Sequence, residues 1–302
     1  MSSSLSLCPD GDIRCRCLAA GACAVGFARA EAVNAATADY FRRWLARACH
    51  ASLGYMERYV DLRLDPRLLL PGATTVISLA FPYRPAGGYH HPLIADYALG
   101  NDYHIVIKHR LRDLCNHLLA DYGALSRVCV DSAPVLERYW AVRAGIGFIG
   151  SNRQLIIPGI GSGVFLAEVI PSLHLPPDLP CTLSCGDCRR CFDACPGKAL
   201  SPDGLDARRC RSYLSIEAPE AVATPMPAGA QIVGCDICAR VCPHNRHEPP
   251  EPLCDFAPDP RLLTLDRQAL ASISAGDYRR LFDHSALRRI PPRRIRLLAH
   301  TH

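Results

Sequence analysis

Two cysteine-rich stretches of similar pattern constrain this chain more than any other feature of its sequence. The first, CGDCRRCFDACP, runs from Cys185 to Pro196, and the second, GCDICARVCPHN, runs from Gly234 to Asn245. Each stretch contains closely spaced cysteines and a Cys-Pro pair. Nine of the 17 cysteines lie between Cys181 and Cys242. Any fold of this segment must therefore bring many sulfur atoms close together.

The start of the chain bears on whether these cysteines form disulfides. The first residues, MSSSLSLCPDGDIRCRC, lack the basic region and the continuous apolar stretch of a secretory signal. No apolar run approaches the length of a membrane span. We therefore expect a cytoplasmic protein that makes no contact with a membrane and keeps its thiols reduced. The cysteines outside the rich segment are scattered, as expected of small core residues.

The spacing of the first stretch, C-x2-C-x2-C-x3-C-P, is that of bacterial ferredoxins. In those proteins three cysteines of a tight loop bind one 4Fe–4S cluster, and the fourth binds the other cluster. Here Cys185, Cys188 and Cys191 would form the loop, and Cys195 would reach the second cluster. By the symmetry of the two motifs, Cys242 completes the first cluster.

The second cluster is one ligand short on the same reasoning. Cys195, Cys235 and Cys238 remain for it, and the expected fourth position holds Ile232. Three cysteines are candidates for the missing ligand: Cys181, Cys210 and Cys254. We favour Cys210 because it lies between the two motifs.

Structural zinc sites are the alternative, because they also use C-x2-C pairs. A zinc site needs only four ligands. It does not need two motifs that each end in Cys-Pro and each contribute one cysteine to the other motif's site. The pattern therefore favours two 4Fe–4S clusters.

The first half of the chain alternates between apolar runs and amphipathic segments. Strands are predicted at residues 21–28, 73–81, 127–130, 153–158 and 164–170, and helices at residues 35–53, at 103–123 and after residue 131. Asp131 or Ser132 is expected to cap the third helix, with Pro134 in its first turn and Gly145 at its end. These elements indicate an α/β or α+β domain over residues 1–172.

Proline-rich stretches at residues 171–180 and 246–260 suggest two boundaries. We predict a ferredoxin-like domain with two 4Fe–4S clusters at residues 173–250. A short, helical, arginine-rich C-terminal segment is predicted at residues 251–302. Between Arg279 and His302 this segment carries seven arginines against one acid, Asp283, in a chain of net charge +5. Such a patch suits RNA, and a solvated terminal segment is the alternative.

The clusters imply that the first domain catalyses a reduction, because a protein that only transfers electrons would not need so large a partner domain. That domain contains neither a G-x-G-x-x-G dinucleotide motif nor a P-loop. The glycine-rich stretches GIGFIG and GIGSG are more typical of structural turns. A D-x-H-x-x-G cobalamin motif is also absent, since the nearest match, at Asp102 and His104, lacks the glycine. Spacing alone therefore leaves the cofactor unnamed.

Several longer stretches resemble the epoxyqueuosine reductases, which are cobalamin- and iron–sulfur-dependent enzymes of the last step of queuosine synthesis in tRNA. The matching stretches, in chain order, are LDPRLLLPGATTVISLAFPY, YALGNDYHIVIK, VDSAPVLERYWAVRAGIGFIGSNRQLIIPGIGSGVFLAE, CGDCRRCFDACPGKAL, RRCRSYLSIE and GCDICARVCPHN. The resemblance implies a cobalamin-binding α/β domain followed by a two-cluster ferredoxin-like domain.

The resemblance also implies roles for individual residues. The first cluster would be bound by Cys185, Cys188, Cys191 and Cys242, and the second by Cys195, Cys210, Cys235 and Cys238. Asp131 would be the proton donor. Cobalamin would contact Arg58, Asp131, the backbone at Leu155, Ser212, Cys235 and Asp236. The tRNA would contact Glu217, and we add Arg288, Arg289, Arg293 and Arg294 of the basic segment.

Three departures from the family pattern are visible. Ser151 stands where a lysine is common, which would alter a polar contact near the active site, and His244 stands where a tryptophan is common, next to the clusters. Many members carry a C-terminal helical-repeat extension that grips tRNA. This chain ends at His302, so we expect the arginines before it to contribute more of the binding.

The implied reaction removes the epoxide oxygen as water in a two-electron reduction. Cobalamin, reduced by the clusters, would act as the nucleophile while Asp131 protonates the oxygen. Asp131 must then be protonated near neutral pH, which requires burial, whereas a helix N-terminus favours the anion. Asp131 as a simple N-cap is the alternative. Tyr103 and His104 could relay protons, although such residues on an amphipathic helix are more often packed.

Two other functions fit parts of the pattern. One is a corrinoid reductase of a small molecule, similar to reductive dehalogenases, although those usually carry a twin-arginine export signal that this chain lacks. The other is a ferredoxin-type electron-transfer protein. The leading hypothesis is a monomeric tRNA-modifying enzyme supplied by an unidentified low-potential electron donor.

Overall fold

A four-stranded antiparallel sheet lies at the centre of the first part of the chain. The structure is a computed structural model that describes residues 9–85, 87–88 and 91–300. Residues 1–8 of the first predicted domain and 301–302 of the last segment lie outside the described residues. The strands are β1 (Ala24–Arg29), β2 (Thr75–Pro82), β3 (Ser126–Cys129), β4 (Phe148–Ile149), β5 (Leu155–Ile156), β6 (Val164–Pro171), β7 (Leu200–Ser201) and β8 (Gly204–Leu205). The order in the main sheet is β1-β2-β6-β3, and β4–β5 and β7–β8 form two short pairs.

Short helices connect and cover these strands. They are α1 (Pro9–Ala19), α2 (Ala35–Ala46), α3 (Val60–Leu64), α4 (Tyr103–Arg110), α5 (Arg112–Tyr122), α6 (Glu137–Arg143), α7 (Arg190–Ala194), α8 (Arg211–Ile216), α9 (Ile237–Arg240), α10 (Pro260–Leu263), α11 (Arg267–Ser272), α12 (Ala275–Phe282) and α13 (Pro292–Ala299). Within the described ranges, none of them is long and apolar enough to cross a membrane.

The main sheet is buried on both faces. Every residue of β2 is buried, which explains its mostly apolar sequence. Val76 and Ala80 face a core formed with α2 and α6, whereas Ile77 and Leu79 face a second core formed with α1, α4 and α5. Because all neighbouring strands are antiparallel, the α+β alternative of the predicted fold class is the correct one.

Most of the predicted elements of this part are confirmed, but several helices differ from their predicted bounds. The helix predicted at residues 35–53 ends at Ala46, because the backbone turns at Ala48, where φ is 52°. The helix predicted at residues 103–123 is divided at Leu111 into α4 and α5, and it ends at Gly123 as expected. Leu111 is fully buried, and the turn there lets both helices reach the same core. Helix α1 was not predicted, because only Ile13 and Cys17 of its sequence are buried.

The helix expected after residue 131 begins later than predicted. Its first residue is Glu137 and its N-cap is Leu136, so Asp131 and Ser132 are not capping residues. Asp131 has a left-handed backbone with φ of 53°, and Pro134 disfavours a helical conformation of the residue before it. The chain therefore makes a turn between β3 and α6.

The C-terminal helices pack against both preceding parts of the chain. Leu262, Phe282 and Leu298 share a core with Ile94 and Ile232. The basic segment is therefore folded rather than a solvated tail. The predicted boundary near residue 250 lies in a stretch without helix or strand, and the domain limits themselves stay predictions.

Candidate active site

Four cysteines of the two motifs converge on one small cavity. Cys185, Cys188, Cys191 and Cys242 all line it, and the apolar side chains of Phe148 and Ile156 pack against Cys242. These are the four residues that the sequence assigns to the first cluster, and a shared cavity with an apolar cover fits such a group.

The other four predicted ligands lie together beside the first group. Burial, followed by repulsion from the nearby thiols of Cys235, Cys210, Cys191 and Cys195, raises the pKa of Cys238 to about 12. Thiols that repel one another as anions in this way need positive charge between them, which iron supplies. Helix α7 carries a thiol of the first group, and helix α9 carries one of the second. The two helices pack against each other, so the two groups are adjacent.

The arrangement distinguishes Cys210 from its two competitors. Cys181 packs against the core around Cys242, beside a group that already has four thiols. Cys254 is exposed in a turn. Cys210, by contrast, raises the pKa of both Cys235 and Cys238 by its proximity, although burial is the largest cause for each.

The cysteines of both motifs are free to bind a metal group, because every cysteine of the described residues is free of disulfides. Cys185, Cys188, Cys191 and Cys242 surround a common cavity, as the ligands of a polynuclear cluster would.

A cleft of about 430 Å³ opens between the main sheet and the cysteine-rich part. This volume lies within the range of about 300–1,000 Å³ that is typical of cofactor sites. The first part contributes Tyr83, Tyr97, Tyr103, Asp131, Glu137, Leu155, Val164 and Leu166, and the cysteine-rich part contributes Ser212, Cys235, Asp236 and Cys238. Two thiols of the second group therefore reach the wall of the cleft.

Five of the six residues predicted to contact cobalamin line this one cleft. They are Asp131, Leu155, Ser212, Cys235 and Asp236. The sixth, Arg58, is exposed in a turn and is not among the lining residues. Its role stays a prediction.

Asp131 is held in the cleft by three hydrogen bonds. Tyr103 Oη donates to Asp131 Oδ2 at 2.6 Å, and His104 Nε2 lies 3.3 Å from the same oxygen. The backbone N–H of Asp131 donates to Glu137 Oε1 at 2.6 Å. These contacts fix a residue whose left-handed backbone is unfavourable for side chains other than glycine.

The pKa of Asp131 lies below its ordinary value. Partial burial acts to raise it, but the hydrogen bonds from His104 and Tyr103 and the charges of His104 and Arg289 outweigh this effect. The expectation that desolvation keeps Asp131 protonated is therefore wrong for the protein alone. With its side chain 59% exposed, Asp131 remains open to a bound cofactor or substrate.

Two further carboxyl groups lie behind Asp131. Burial, and then the charge of Asp131, raises the pKa of Glu137 to about 8. Glu168 is fully buried on β6, opposite both Ser78 and Cys129, and burial raises its pKa well above the usual value. Burial therefore favours the neutral form of both groups, so the negative charge of this trio resides mainly on Asp131.

Asp236 is held in place by a network of its own. Gln231 Nε2 donates to Asp236 Oδ2 at 3.0 Å, and the backbone N–H of Asp236 donates to Gln231 Oε1 at 2.7 Å. The N–H of Asp96 donates to the same carboxylate at 2.9 Å. The polar rim of the cleft is therefore preorganised.

A second, basic groove lies next to the cleft. It is lined by Asp102, His104, Ile105, Lys108, His109, Arg112, Ser132, Ala286, Arg288 and Arg289. Lys108 Nζ donates to Ser132 Oγ at 3.1 Å, which connects the groove to the loop that carries Asp131. The predicted RNA contacts Arg288 and Arg289 both lie here.

The other predicted RNA contacts have different surroundings. Arg294 is buried, and its guanidinium donates to the carbonyl oxygens of Leu214, Ser215 and Ala218 near the end of α8. It cannot bind RNA as predicted, because those oxygens would lose their partner. Arg293 is exposed and pairs with Glu220.

Glu217 pairs with Arg289 and is one-quarter exposed at its side chain. It therefore lies beside the groove through this ion pair. Its contact with RNA stays a prediction.

Two departures noted in the sequence fall beside the first thiol group. The backbone N–H of Ser151 lies 3.4 Å from Cys185 Sγ, and His244 packs edge-on against Phe148. His244 is thus next to the cysteines as predicted. Ser151 lies at this group rather than among the residues that line the cleft.

Sequence reasoning underestimated Tyr103 and His104, and it missed Glu137. The signal was present, because Asp102, Tyr103 and His104 are consecutive in a stretch that matches the family. The tertiary packing that brings this stretch onto Asp131 could not be derived from periodicity.

Two family models match the chain. One, described as "Epoxyqueuosine reductase QueG, DUF1730", matches residues 63–132. The other, a 4Fe-4S double cluster binding domain, matches residues 184–245. The first contains the segments that place Tyr103, His104 and Asp131, and the second contains all eight predicted cluster cysteines.

Curated relatives cover most of the chain. An epoxyqueuosine reductase of Cyclobacterium marinum is 41% identical over 261 residues, which is 83% of this chain and 83% of the relative. One of Gloeobacter violaceus is 38% identical over 294 residues, or 92% of this chain and 90% of the relative.

Solved structures give the same result. An epoxyqueuosine reductase bound to an epoxyqueuosine-modified tRNA-Tyr stem loop superposes with a TM-score of 0.82 at 28% identity, covering 96% of this chain and 79% of that one. A Bacillus subtilis epoxyqueuosine reductase, with its catalytic aspartate loop swung out of the active site, superposes with a TM-score of 0.80 at 27% identity, with coverage of 96% and 79%.

The fold and the cleft, together with the match to a double-cluster domain, define an iron–sulfur oxidoreductase built on an antiparallel α+β domain. Within that class, the chain belongs to the epoxyqueuosine reductase family. A dehalogenase-like reductase and a simple electron carrier are therefore no longer needed as explanations.

Proposed function

We propose that this chain reduces epoxyqueuosine in tRNA to queuosine, with cobalamin in the cleft and two 4Fe–4S clusters as the source of electrons. The observation that carries the proposal is that the proposed proton donor and two proposed cluster ligands line the same cleft. Asp131 lines one side, and Cys235 and Cys238 line another. A proton source and an electron source thus face the same space.

The cleft suits cobalamin by the chemistry of its walls. Val164 and Leu166 give an apolar surface on β6, which suits a broad, flat ring system, and Ser212 and Asp236 give polar groups at the rim. When bound there, cobalamin would supply a strongly reducing, nucleophilic metal centre. Asp131, Leu155, Ser212, Cys235 and Asp236 are the residues that would hold it.

The protein's own part in the reaction is to deliver protons and electrons and to position the substrate. Removal of the epoxide oxygen as water consumes two electrons and two protons. The electrons would come one at a time through the clusters from a low-potential donor. Asp131 would protonate the oxygen as the carbon–oxygen bond breaks, and burial beneath the bound cofactor and nucleoside would raise its pKa for that role.

The basic groove is the proposed seat of the tRNA backbone. Lys108, Arg112 and Arg288 project into it beside the Asp131 loop, and cationic side chains of this kind neutralise phosphates. The relative from Bacillus subtilis has its catalytic aspartate on a movable loop. Asp131 also stands on a loop, between β3 and α6.

The test is an anaerobic turnover assay. The enzyme with reconstituted clusters is given cobalamin, a low-potential reductant and tRNA bearing epoxyqueuosine. The tRNA is then digested, and the masses of its nucleosides are measured by mass spectrometry. We expect the loss of one oxygen mass, slowed at least about 100-fold by Asp131→Asn, as for removal of a general acid.

The matched control is Asp113→Asn, which changes an exposed aspartate on α5 and should leave the rate unaltered. No conversion by the wild type, with both clusters loaded and cobalamin bound, would refute the proposal.

A further inference from the structure

His104 lies between two carboxylates that belong to different parts of the site. Its Nδ1 is 2.7 Å from Asp102 Oδ1, and its Nε2 is 3.3 Å from Asp131 Oδ2. Asp102 is nearly buried, with 8% of its side chain exposed. It is fixed as the N-cap of α4, where its carboxylate accepts the N–H of His104.

The ring of His104 also separates two cavities. His104 and Asp102 line the basic groove, which is open to solvent, whereas Asp131 and Tyr103 line the cleft. The contact between His104 and Asp131 is therefore the point at which a proton can pass from the groove side to the cleft side.

The proposed reaction gives this contact a use. The epoxide oxygen leaves as water and takes two protons, but Asp131 can carry only one at a time. A cleft filled by cofactor and nucleoside excludes the water that would otherwise reload it. A supply from behind Asp131 is therefore needed within each turnover.

We propose that His104 reloads Asp131, passing a proton from Nε2 to Oδ2, while Asp102 orients the ring. The inference rests on the proposed function. Each proton moves from His104 to Asp131 and then to the leaving oxygen, and His104 recovers its own from solvent in the groove. Two such transfers balance the two electrons delivered by the clusters.

The electrostatics of His104 agree with this geometry. Burial lowers the pKa of the ring, but the hydrogen bonds and charges of Asp102 and Asp131 overcome it and raise the pKa to about 9. The other charged groups nearby are cations of the groove, with Arg288 Nη2 3.6 Å from Asp102 Oδ2, and Lys108 and Arg289. His104 is therefore charged at pH 7 and loses its proton as the pH rises through about 9.

The experiment measures single turnovers of prereduced holoenzyme with epoxyqueuosine tRNA across pH, so that electron delivery does not limit the rate. The wild type should keep its rate at neutral pH and lose it as the pH passes about 9. His104→Gln keeps a hydrogen-bond donor but cannot carry a proton, and we expect it to be about 100-fold slower.

Two further variants separate a relay from a packing role. The groove should admit free imidazole to the space left by His104→Ala, and we expect the rate to recover in proportion to the imidazolium present. Asp102→Asn can still cap α4 but removes one charge from His104, so the alkaline fall should move down towards about 6.5, the ordinary histidine value.

The control is His174→Gln, an exposed histidine after β6, which should behave as the wild type. The inference is wrong if His104→Gln keeps the wild-type rate and pH profile. It is equally wrong if the rate falls but imidazole does not restore it and Asp102→Asn leaves the profile in place. Failure of the wild type to turn over would instead count against the proposed function.

Discussion

Asp131, the proposed proton donor, has an unusual backbone conformation. Asp131 has a positive φ, and its carboxylate and its N–H are both bound by neighbours. The bonds from Tyr103 and His104 keep it ionised in the protein alone, while Glu137 behind it stays neutral. Because burial acts against these bonds, a bound cofactor that buries Asp131 further would raise its pKa. The Asp131 carboxylate would thus become protonated when the cofactor binds.

Cys210 allows a test of the ligand assignment at the same scale. Cys210→Ala should remove one cluster, so that iron falls from about eight to about four atoms per chain. Cys181→Ala and Cys254→Ala should keep the full content, because neither residue belongs to the second thiol group. Iron analysis of anaerobically reconstituted protein measures this. Full iron in Cys210→Ala, with loss in one of the other two, would reassign the ligand.

Among the elements, two turns set the geometry of the site. The turn between β3 and α6 carries Asp131 to the cleft. The turn after β5 brings Gly161 against the cysteine-rich part, where a Cβ atom would lie 2.2 Å from Asn245 Oδ1. Asn245 in turn accepts the N–H of Ser162 at 2.6 Å and donates to Ala239 O at 2.8 Å. This contact holds α9, and with it the second thiol group, against the first domain.

Gly161→Ala should therefore destabilise the protein strongly. A positive φ of 97° and the contact with Asn245 together suggest a loss of about 2–4 kcal/mol in the free energy of unfolding. Gly159→Ala, in the same turn with φ of 77° but open space around it, should cost only about 1–2 kcal/mol. Urea unfolding followed by tryptophan fluorescence compares them. Equal losses would show that the contact with Asn245 contributes nothing.

For the whole molecule, the arrangement would place the proposed electron route on one side of the cleft and the proposed proton and RNA sites on the other. The thiol groups approach the cleft from the cysteine-rich part, and the second group reaches its wall. The basic groove lies on the other side of His104, formed by α4 and the turn at residues 286–289. The segment at residues 286–289 completes this groove, and the apolar faces of the C-terminal helices fill a core shared with both other parts.

The groove predicts a salt dependence of tRNA binding. Affinity should fall as salt rises, and Lys108→Gln should reduce the slope of log affinity against log salt by about 1, as for loss of one phosphate contact. Arg42→Gln, an exposed arginine on α2 outside the groove, should leave the slope unchanged. Filter binding at several salt concentrations measures both. An unchanged slope for Lys108→Gln would place the RNA backbone elsewhere.

The sequence by itself determined the features that depend on local spacing. The intervals between cysteines grouped seven of them into two sets and left three candidates for the eighth ligand, and the structure brings Cys185, Cys188, Cys191 and Cys242 to one cavity. Mostly apolar runs located β2 and β6, because a strand buried on both faces has few polar positions. The family match of long stretches singled out Asp131.

Only the tertiary structure decided how distant segments meet. It turned Arg294 from a predicted RNA contact into a buried residue that satisfies three carbonyl oxygens. It brought Tyr103 and His104 onto Asp131, beside a sheet whose strand order β1-β2-β6-β3 no local pattern encodes. The physical reason is that periodicity reports which face of an element is buried, whereas the neighbour on that face is set by packing of the whole chain. The protonation state of Asp131 follows from those neighbours.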